Sequence, residues 1–308
     1  MENVKSFNFK LKANDDNARA GEIETIHGNI KTPVFMPVGT AASVKAIFPK
    51  DLLELNIEII LANTYHLMLR PGEELIEKFS GLQKFMNWQK PILTDSGGFQ
   101  VWSLSKLRKM DEKGIEFSSH IDGKKYKLTP ESSILIQEKL NSTISMVLDE
   151  CTEYPATYTR SKESMELSMR WAERCKKAFT QRRGYGLFGI IQGGMFNDLR
   201  KESSNILNEI GFDGYALGGL SVGENHEEMI SVVKETTQHM DIKKPRYIMG
   251  VGRPVDIFNS VENGIDMFDC VLPTRFGRNG RAFTLSGEIN LRNARYATDQ
   301  SLLDETHD

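Results

Sequence analysis

Apolar residues along this chain fall into short, nearly unbroken runs. Longer stretches lie between them, in which apolar positions recur every three or four residues. Eight runs read as strands: Val34–Val38, Ile59–Ala62, Ile92–Thr94, Ile144–Leu148, Leu187–Ile191, Tyr215–Leu217, Tyr247–Met249 and Ile265–Phe268. A run without polar alternation belongs to a strand covered on both faces, as parallel strands under helices are. The stretches between carry helix signals. Thr129 before Pro130 is an N-cap and first-turn pair. Asn225 with Glu228 three residues later forms a capping-box pattern ahead of Met229, Val232 and Val233. Within Ser161 to Arg183, the residues Met165, Met169, Ala172, Cys175 and Phe179 share one helical face, which reads as core packing. Strand followed by helix, eight times over, predicts an α/β chain forming a single (β/α)8 TIM barrel over residues 1–308; a doubly wound open sheet is the alternative. One insertion stands out between Asp95 and Thr129. The stretch IEFSSHIDGKKYKL alternates about Asp122-Gly123, predicting a small antiparallel hairpin over about 113–128 near the barrel mouth.

Composition narrows the function classes. The 308 residues are 39% hydrophobic and 26% charged, which excludes disorder, collagen and coiled coil. A net charge of −3 gives no chain-wide positive field, so any polyanion site must be local. The longest apolar run is Ile59–Ala62, against the roughly 20 residues a bilayer span requires. The N-terminal stretch has no apolar signal core, and a cytoplasmic protein without membrane partners is expected. Cys151, Cys175 and Cys270 form neither a disulfide framework nor a metal knuckle and read as buried small hydrophobes.

Barrel enzymes build their sites at the C-terminal ends of the strands. Here the residues past the runs are polar: Asp95 in TDSGGFQ, Asp149 in VLDEC, Gln192 in IIQGG, the glycines of ALGGL and Asp269 in MFDC. One acid after a strand is as easily a helix cap as a catalyst, but three acids and an amide at one rim form a constellation. Local positive charge follows directly. From Cys270 to Tyr296, Arg275, Arg278, Arg281, Arg292 and Arg295 stand against Glu288 alone. The stretch TRFGRNGR reads as a loop able to track phosphates.

In order along the chain, TPVFMPVGT, NTYHLMLRPG, TDSGGFQVWSL, DECTEYPA, IQGGMF, GYALGGLSVGE, MGVGRP and GIDMFDCVLPTRFGRNGRAFT resemble the motifs of the bacterial tRNA-guanine transglycosylases, from about Gly21 to Arg295. The resemblance implies a barrel enzyme that replaces the wobble guanine of certain tRNAs with a 7-deazaguanine base, a step toward queuosine. By motif match, Asp269 is the nucleophile beneath the ribose and Asp95 the acid/base. These residue types suit base exchange, since a carboxylate on the far face of the sugar allows double displacement with retention. The plain alternative makes Asp269 an ion-pair partner of Arg275 or Arg278.

The resemblance places Asp95, Ser96, Gly97, Gly98, Phe99, Asp149, Gln192, Gly218, Gly219, Leu220 and Met249 at the base. Asp149 would face guanine's N–H donors, Gln192 and the Gly219 backbone its acceptors, and Phe99 and Met249 its two flat faces. Val44, Cys151 and Val222 at the pocket wall suit a small aminomethyl-deazaguanine, with Cys151 lining the wall and not reacting. RNA contacts are implied at Gly250, Val251, Gly252, Arg253, Pro254, Val255 and Asp256, and at Thr274, Arg275, Phe276, Gly277 and Arg278. His66 reads as structural. Partners are tRNA, the free base and a second copy of the chain as a homodimer. Members of the family carry a structural zinc on three cysteines and a histidine after the INLRNAR region. Here no cysteine follows Cys270, and His307 alone cannot hold a tetrahedral zinc, so no metal is expected in this chain.

Overall fold

A computed structural model describes residues 6–104, 108–285 and 287–303. The strands are β1 (Asn8–Asp15), β2 (Ala18–Thr25), β3 (Gly28–Thr32), β4 (Val34–Gly39), β5 (Ile60–Ala62), β6 (Ile92–Thr94), β7 (Arg108–Asp111), β8 (Gly114–Ser118), β9 (Lys125–Leu128), β10 (Ile144–Met146), β11 (Gly186–Ile191), β12 (Gly214–Leu217), β13 (Arg246–Ile248), β14 (Met267–Cys270), β15 (Arg281–Thr284) and β16 (Gly287–Asn290). The helices are α1 (Pro49–Glu54), α2 (Thr64–Leu69), α3 (Glu73–Lys78), α4 (Leu82–Phe85), α5 (Gly98–Leu104), α6 (Pro130–Lys139), α7 (Tyr158–Ala178), α8 (Asn197–Ile210), α9 (His226–Thr237), α10 (Pro254–Glu262) and α11 (Leu272–Arg278).

The eight runs read from the sequence are the eight barrel strands. β4, β5, β6, β10, β11, β12, β13 and β14 pair in parallel and close when β14 pairs with β4. A doubly wound sheet is therefore excluded. Every residue of β5, β6, β10, β11, β12 and β13 is buried, which is why these strands lack a polar alternate face. One boundary shifts with consequence. Asp269 lies within β14 and not past it, because its ladder with β4 runs on through Asp269 and Cys270, opposite Met36 and Pro37.

Local signals formed as read. The Thr129 hydroxyl accepts from Ser132 N at 3.1 Å while Ser132 Oγ accepts from Thr129 N at 2.8 Å, closing the capping box of α6. Asn225 and Glu228 do the same for α9. α7 starts earlier than the stripe suggests, capped by Thr157, and stops at Ala178 where Phe179 turns extended. The stripe itself, Met165 to Phe179, is buried.

Three sheets went beyond the sequence reading. The insertion is three-stranded, β7-β8-β9, with Asp122-Gly123 in the β8–β9 turn as expected. The antiparallel sheet β1-β2-β3 plugs the N-terminal end of the barrel. Ile26 N bonds Gly184 O just before β11, and the His27 imidazole lies 2.8 Å from the Thr143 hydroxyl just before β10. The β15-β16 hairpin follows α11, with Phe276 stacked on Phe283. Here the sequence reading is corrected: Thr274–Arg278 of TRFGRNGR is helical, and only Asn279 and Gly280 form the turn into β15. No helix among the described residues is long and apolar enough to cross a membrane.

Candidate active site

Because parallel strands all point one way, their C-terminal ends share one mouth, and three carboxylates gather there. Asp95 follows β6 and is 7% exposed. Its Oδ2 accepts from Asn63 Nδ2 at 2.6 Å and Gln100 Nε2 at 2.9 Å, and its Oδ1 accepts from Thr64 N at 2.8 Å. Burial pushes its pKa up to about 6; these hydrogen bonds resist the shift, and the charge of Asp269 adds to it. Asp149 is also raised to about 6, by burial above all, with the Asp95 charge contributing. Asp269 is likewise raised by burial, against two neutral donors. Tyr247 OH at 2.5 Å and Gly250 N at 2.8 Å both donate hydrogen bonds to Oδ1. Oδ2 receives no hydrogen bond among the described residues. The ion pair to Arg275 or Arg278 does not form, and Arg278 instead donates to Lys45 O at 3.3 Å.

The residues expected at the base are held together by close backbone packing. Gln192 Nε2 donates to Asp149 Oδ2 at 2.6 Å, which fixes the amide and leaves its buried Oε1 without a partner. A side chain on Gly218 or Gly219 would meet that amide, with an added Cβ only 2.7 Å from Nε2 or 2.6 Å from Oε1. The glycines are therefore required by Gln192 before any ligand arrives. Gly98 has the same logic, since a Cβ there would sit 2.9 Å from the Asp149 carbonyl. Ser96 is buried, its hydroxyl accepting from Gly98 N at 3.3 Å, and Gly97 takes a left-handed φ of 86°. Leu220 is buried and Met249 half-buried at the rim. Phe99 stands apart from the strand ends that carry the acids. It lies in the first turn of α5, 46% exposed, with Trp102 5.8 Å away. Val44, Cys151 and Val222 all come from loops at this mouth, and burial raises the Cys151 thiol to about 12, which leaves it a poor nucleophile. His66 packs against Tyr65 and His120, and burial lowers its basicity.

The expected RNA segments divide by exposure. Arg253, Pro254, Val255, Arg275 and Gly277 are exposed, and Gly250 stands at the rim. Thr274 and Arg278 are half-exposed. Val251 and Phe276 turn inward and are 2% and 8% exposed, and Gly252 packs so closely that a Cβ would meet that of Cys270 at 2.2 Å. These three offer backbone at most. Asp256 bonds His226 at 2.6 Å and carries the wrong charge for phosphate.

Several functional neighbours went unread. Asn63 directly follows β5, so the rule that found Asp95 also marks it. Tyr247 was counted as an apolar strand residue, and nothing local signals that its hydroxyl reaches Asp269. Glu224 accepts from the backbone N–H groups of Ser221, Val222 and Gly223, shaping the loop after β12.

The sequence matches the family model described as Queuine tRNA-ribosyltransferase over residues 15–308. It is 55% identical to the queuine tRNA-ribosyltransferase of Rickettsia bellii (strain OSU 85-389) over 301 residues, covering 98% of this chain and 83% of that protein. The proteins of the same name from Rickettsia africae (strain ESF-5) and Rickettsia akari (strain Hartford) are 55% and 54% identical over the same shares. The chain belongs to the queuine tRNA-ribosyltransferase family.

The zinc associated with this family finds no fit in the residues described. Cys151, Cys175 and Cys270 are separately buried, and among the described residues no three His, Cys, Asp or Glu side chains could hold a metal. His307 lies outside the described residues.

Proposed function

We propose that this tRNA-guanine transglycosylase exchanges the wobble guanine of tRNA for an aminomethyl-deazaguanine by double displacement. The observation that carries this reading is the asymmetry of Asp269: both donors land on Oδ1, Oδ2 is left without one among the described residues, and the carboxylate lies near enough to Asp95 for their charges to interact. Oδ2 attacks C1′ of the ribose, and the bond from C1′ to the base breaks as an ester to Asp269 forms. Asp95, its pKa raised to about 6, gives its proton to the departing guanine. The incoming base then loses a proton to Asp95, attacks C1′ and frees Asp269. Two inversions give net retention and leave the phosphodiester chain uncut.

Asp149, paired with Gln192, reads the amine edge common to guanine and its deaza analogue. Arg253, Arg275 and Arg278 supply phosphate contacts around the mouth in a chain whose overall charge repels RNA weakly. A non-catalytic tRNA-binding relative is the other reading; the intact ring of three carboxylates favours catalysis. Incorporation of labelled guanine into tRNA tests the proposal, followed by competition between aminomethyl-deazaguanine and bulkier bases. tRNA binding without incorporation would overturn it.

A further inference from the structure

Beneath the two base-reading loops lies a cation that the exchange reaction does not itself use. Arg200 of α8 is fully buried. Its Nε donates to Gly194 O, in the loop after β11, at 2.7 Å, and its Nη2 donates to Gly218 O, at the end of β12, at 3.0 Å. One helical turn on, Ser203 Oγ accepts from Gln192 N at 3.1 Å, so one face of α8 holds both loops from below.

The consequence follows from peptide geometry. In a planar trans peptide, the Gly218 carbonyl and the Gly219 N–H point in opposite directions. With the carbonyl drawn toward Arg200, the Gly219 N–H points away from α8. It donates to nothing among the described residues, as expected of a donor waiting for a ligand. A carbonyl that accepts from a cation also polarises its peptide and strengthens the N–H at the other end. Arg200 forms no ion pair among the described residues. The acid whose charge it feels, Glu224, is occupied by the N–H groups of Ser221, Val222 and Gly223.

We propose that Arg200 is a positioning residue that aims and polarises the Gly219 N–H toward the 6-oxo group of the base. This rests on the reading of Gly219 as a base-contacting donor. The role is separable from a merely structural one because it concerns a single atom of the ligand. 2-Aminopurine keeps guanine's 2-amine and ring but lacks the 6-oxo group and, with it, the N1 proton; because the same probe is compared across variants, the missing N1 proton is a constant and only the loss tied to Arg200 is read.

The test measures labelled-guanine exchange and competitive inhibition by 2-aminopurine in Arg200→Met and Arg200→Lys. Loss of one charge-assisted contact should raise the guanine KM by about tenfold in Arg200→Met, leaving the tRNA KM and the 2-aminopurine inhibition constant unchanged. Arg200→Lys, which keeps the charge, should raise the guanine KM by only about threefold and carries the test if the Met variant does not fold. Equal weakening of guanine and 2-aminopurine, or no change in either, would overturn the role. Asp149→Asn separates the layers, since it should weaken both bases. If it weakens neither, the base-reading assignment falls and takes this proposal with it. If it weakens both while the Arg200 variants do not discriminate, only the role of Arg200 falls.

Discussion

Asp266, fully buried just before β14, and Asp269, half-buried within it, stand three residues apart, and their surroundings differ sharply. At the N-terminal pole, Asp266 lies 3.2 Å from Arg19 and accepts from Arg246 N at 2.8 Å. The two guanidinium groups donate onward, Arg19 to Lys244 O and Arg246 to Met240 O, which fastens the β1-β2-β3 plug to the barrel. At the mouth, Asp269 has no cation against it, only a phenol and a backbone N–H. Burial pushes both carboxylates up, Asp266 to about 6 even beside its arginines. A buried carboxylate whose charge is met by cations acts as a clasp. One held in place by neutral donors keeps its charge available to a developing oxocarbenium carbon.

Substitutions should separate the two ends. Asp269→Asn should cost at least about a thousandfold in exchange rate with an unchanged fold, because an amide replaces the carboxylate that forms the ester. Asp95→Asn should cost roughly a hundredfold or more in kcat. It also carries a pH signature: with Asp95 raised from the ordinary 3.8 to about 6, its acid form persists to about pH 6 and is lost above it. The wild-type rate of guanine release should therefore fall along an alkaline limb beginning there, and the Asn variant should lack that limb. Asp266→Ala should do the reverse of both. Leaving the buried Arg19 guanidinium without its carboxylate should cost about 3–5 kcal/mol in denaturant unfolding. The turnover of the folded fraction should stay within about twofold, as expected of a site with no path to the mouth. Tyr247→Phe should have the smallest effect, about tenfold in kcat with little change in KM, since one of two orienting hydrogen bonds on Oδ1 is lost. If Asp266→Ala reduced turnover as Asp269→Asn does, the contrast between clasp and nucleophile would be wrong.

How far these two ends were legible in the sequence differs for the same physical reason. Barrel strands are buried on both faces and announce themselves as apolar runs, and the polar residue ending each run marks the mouth; that is how Asp95, Asp149 and Gln192 came to light. The plug is a half-covered antiparallel sheet. The burial of β2 alternates residue by residue, and its inward positions are Arg19, Gly21, Ile23 and Thr25, so Ile23 alone offers a search for apolar runs anything to find. Tyr247 and Arg200 were illegible for another reason. Each acts through its polar tip on a backbone or carboxylate brought near only by closure of the barrel, and a tyrosine in an apolar strand or an arginine on a helix carries no local mark of that. The stretch from Thr274 misled because its Gly and Asn content resembles a loop, while Pro273 in the first turn and Phe276 packed on Phe283 make it a helix.

The central claim is that a side-chain oxygen of Asp269 carries the ribose between the departure of one base and the arrival of the next. Incubating the enzyme with tRNA and an analogue base that halts turnover, then resolving the mixture by denaturing electrophoresis and mapping the adduct by mass spectrometry, tests this directly. A protein–RNA species attached at Asp269 and missing from Asp269→Asn is the predicted result. An adduct on another residue, or full turnover with no adduct formed, would contradict it.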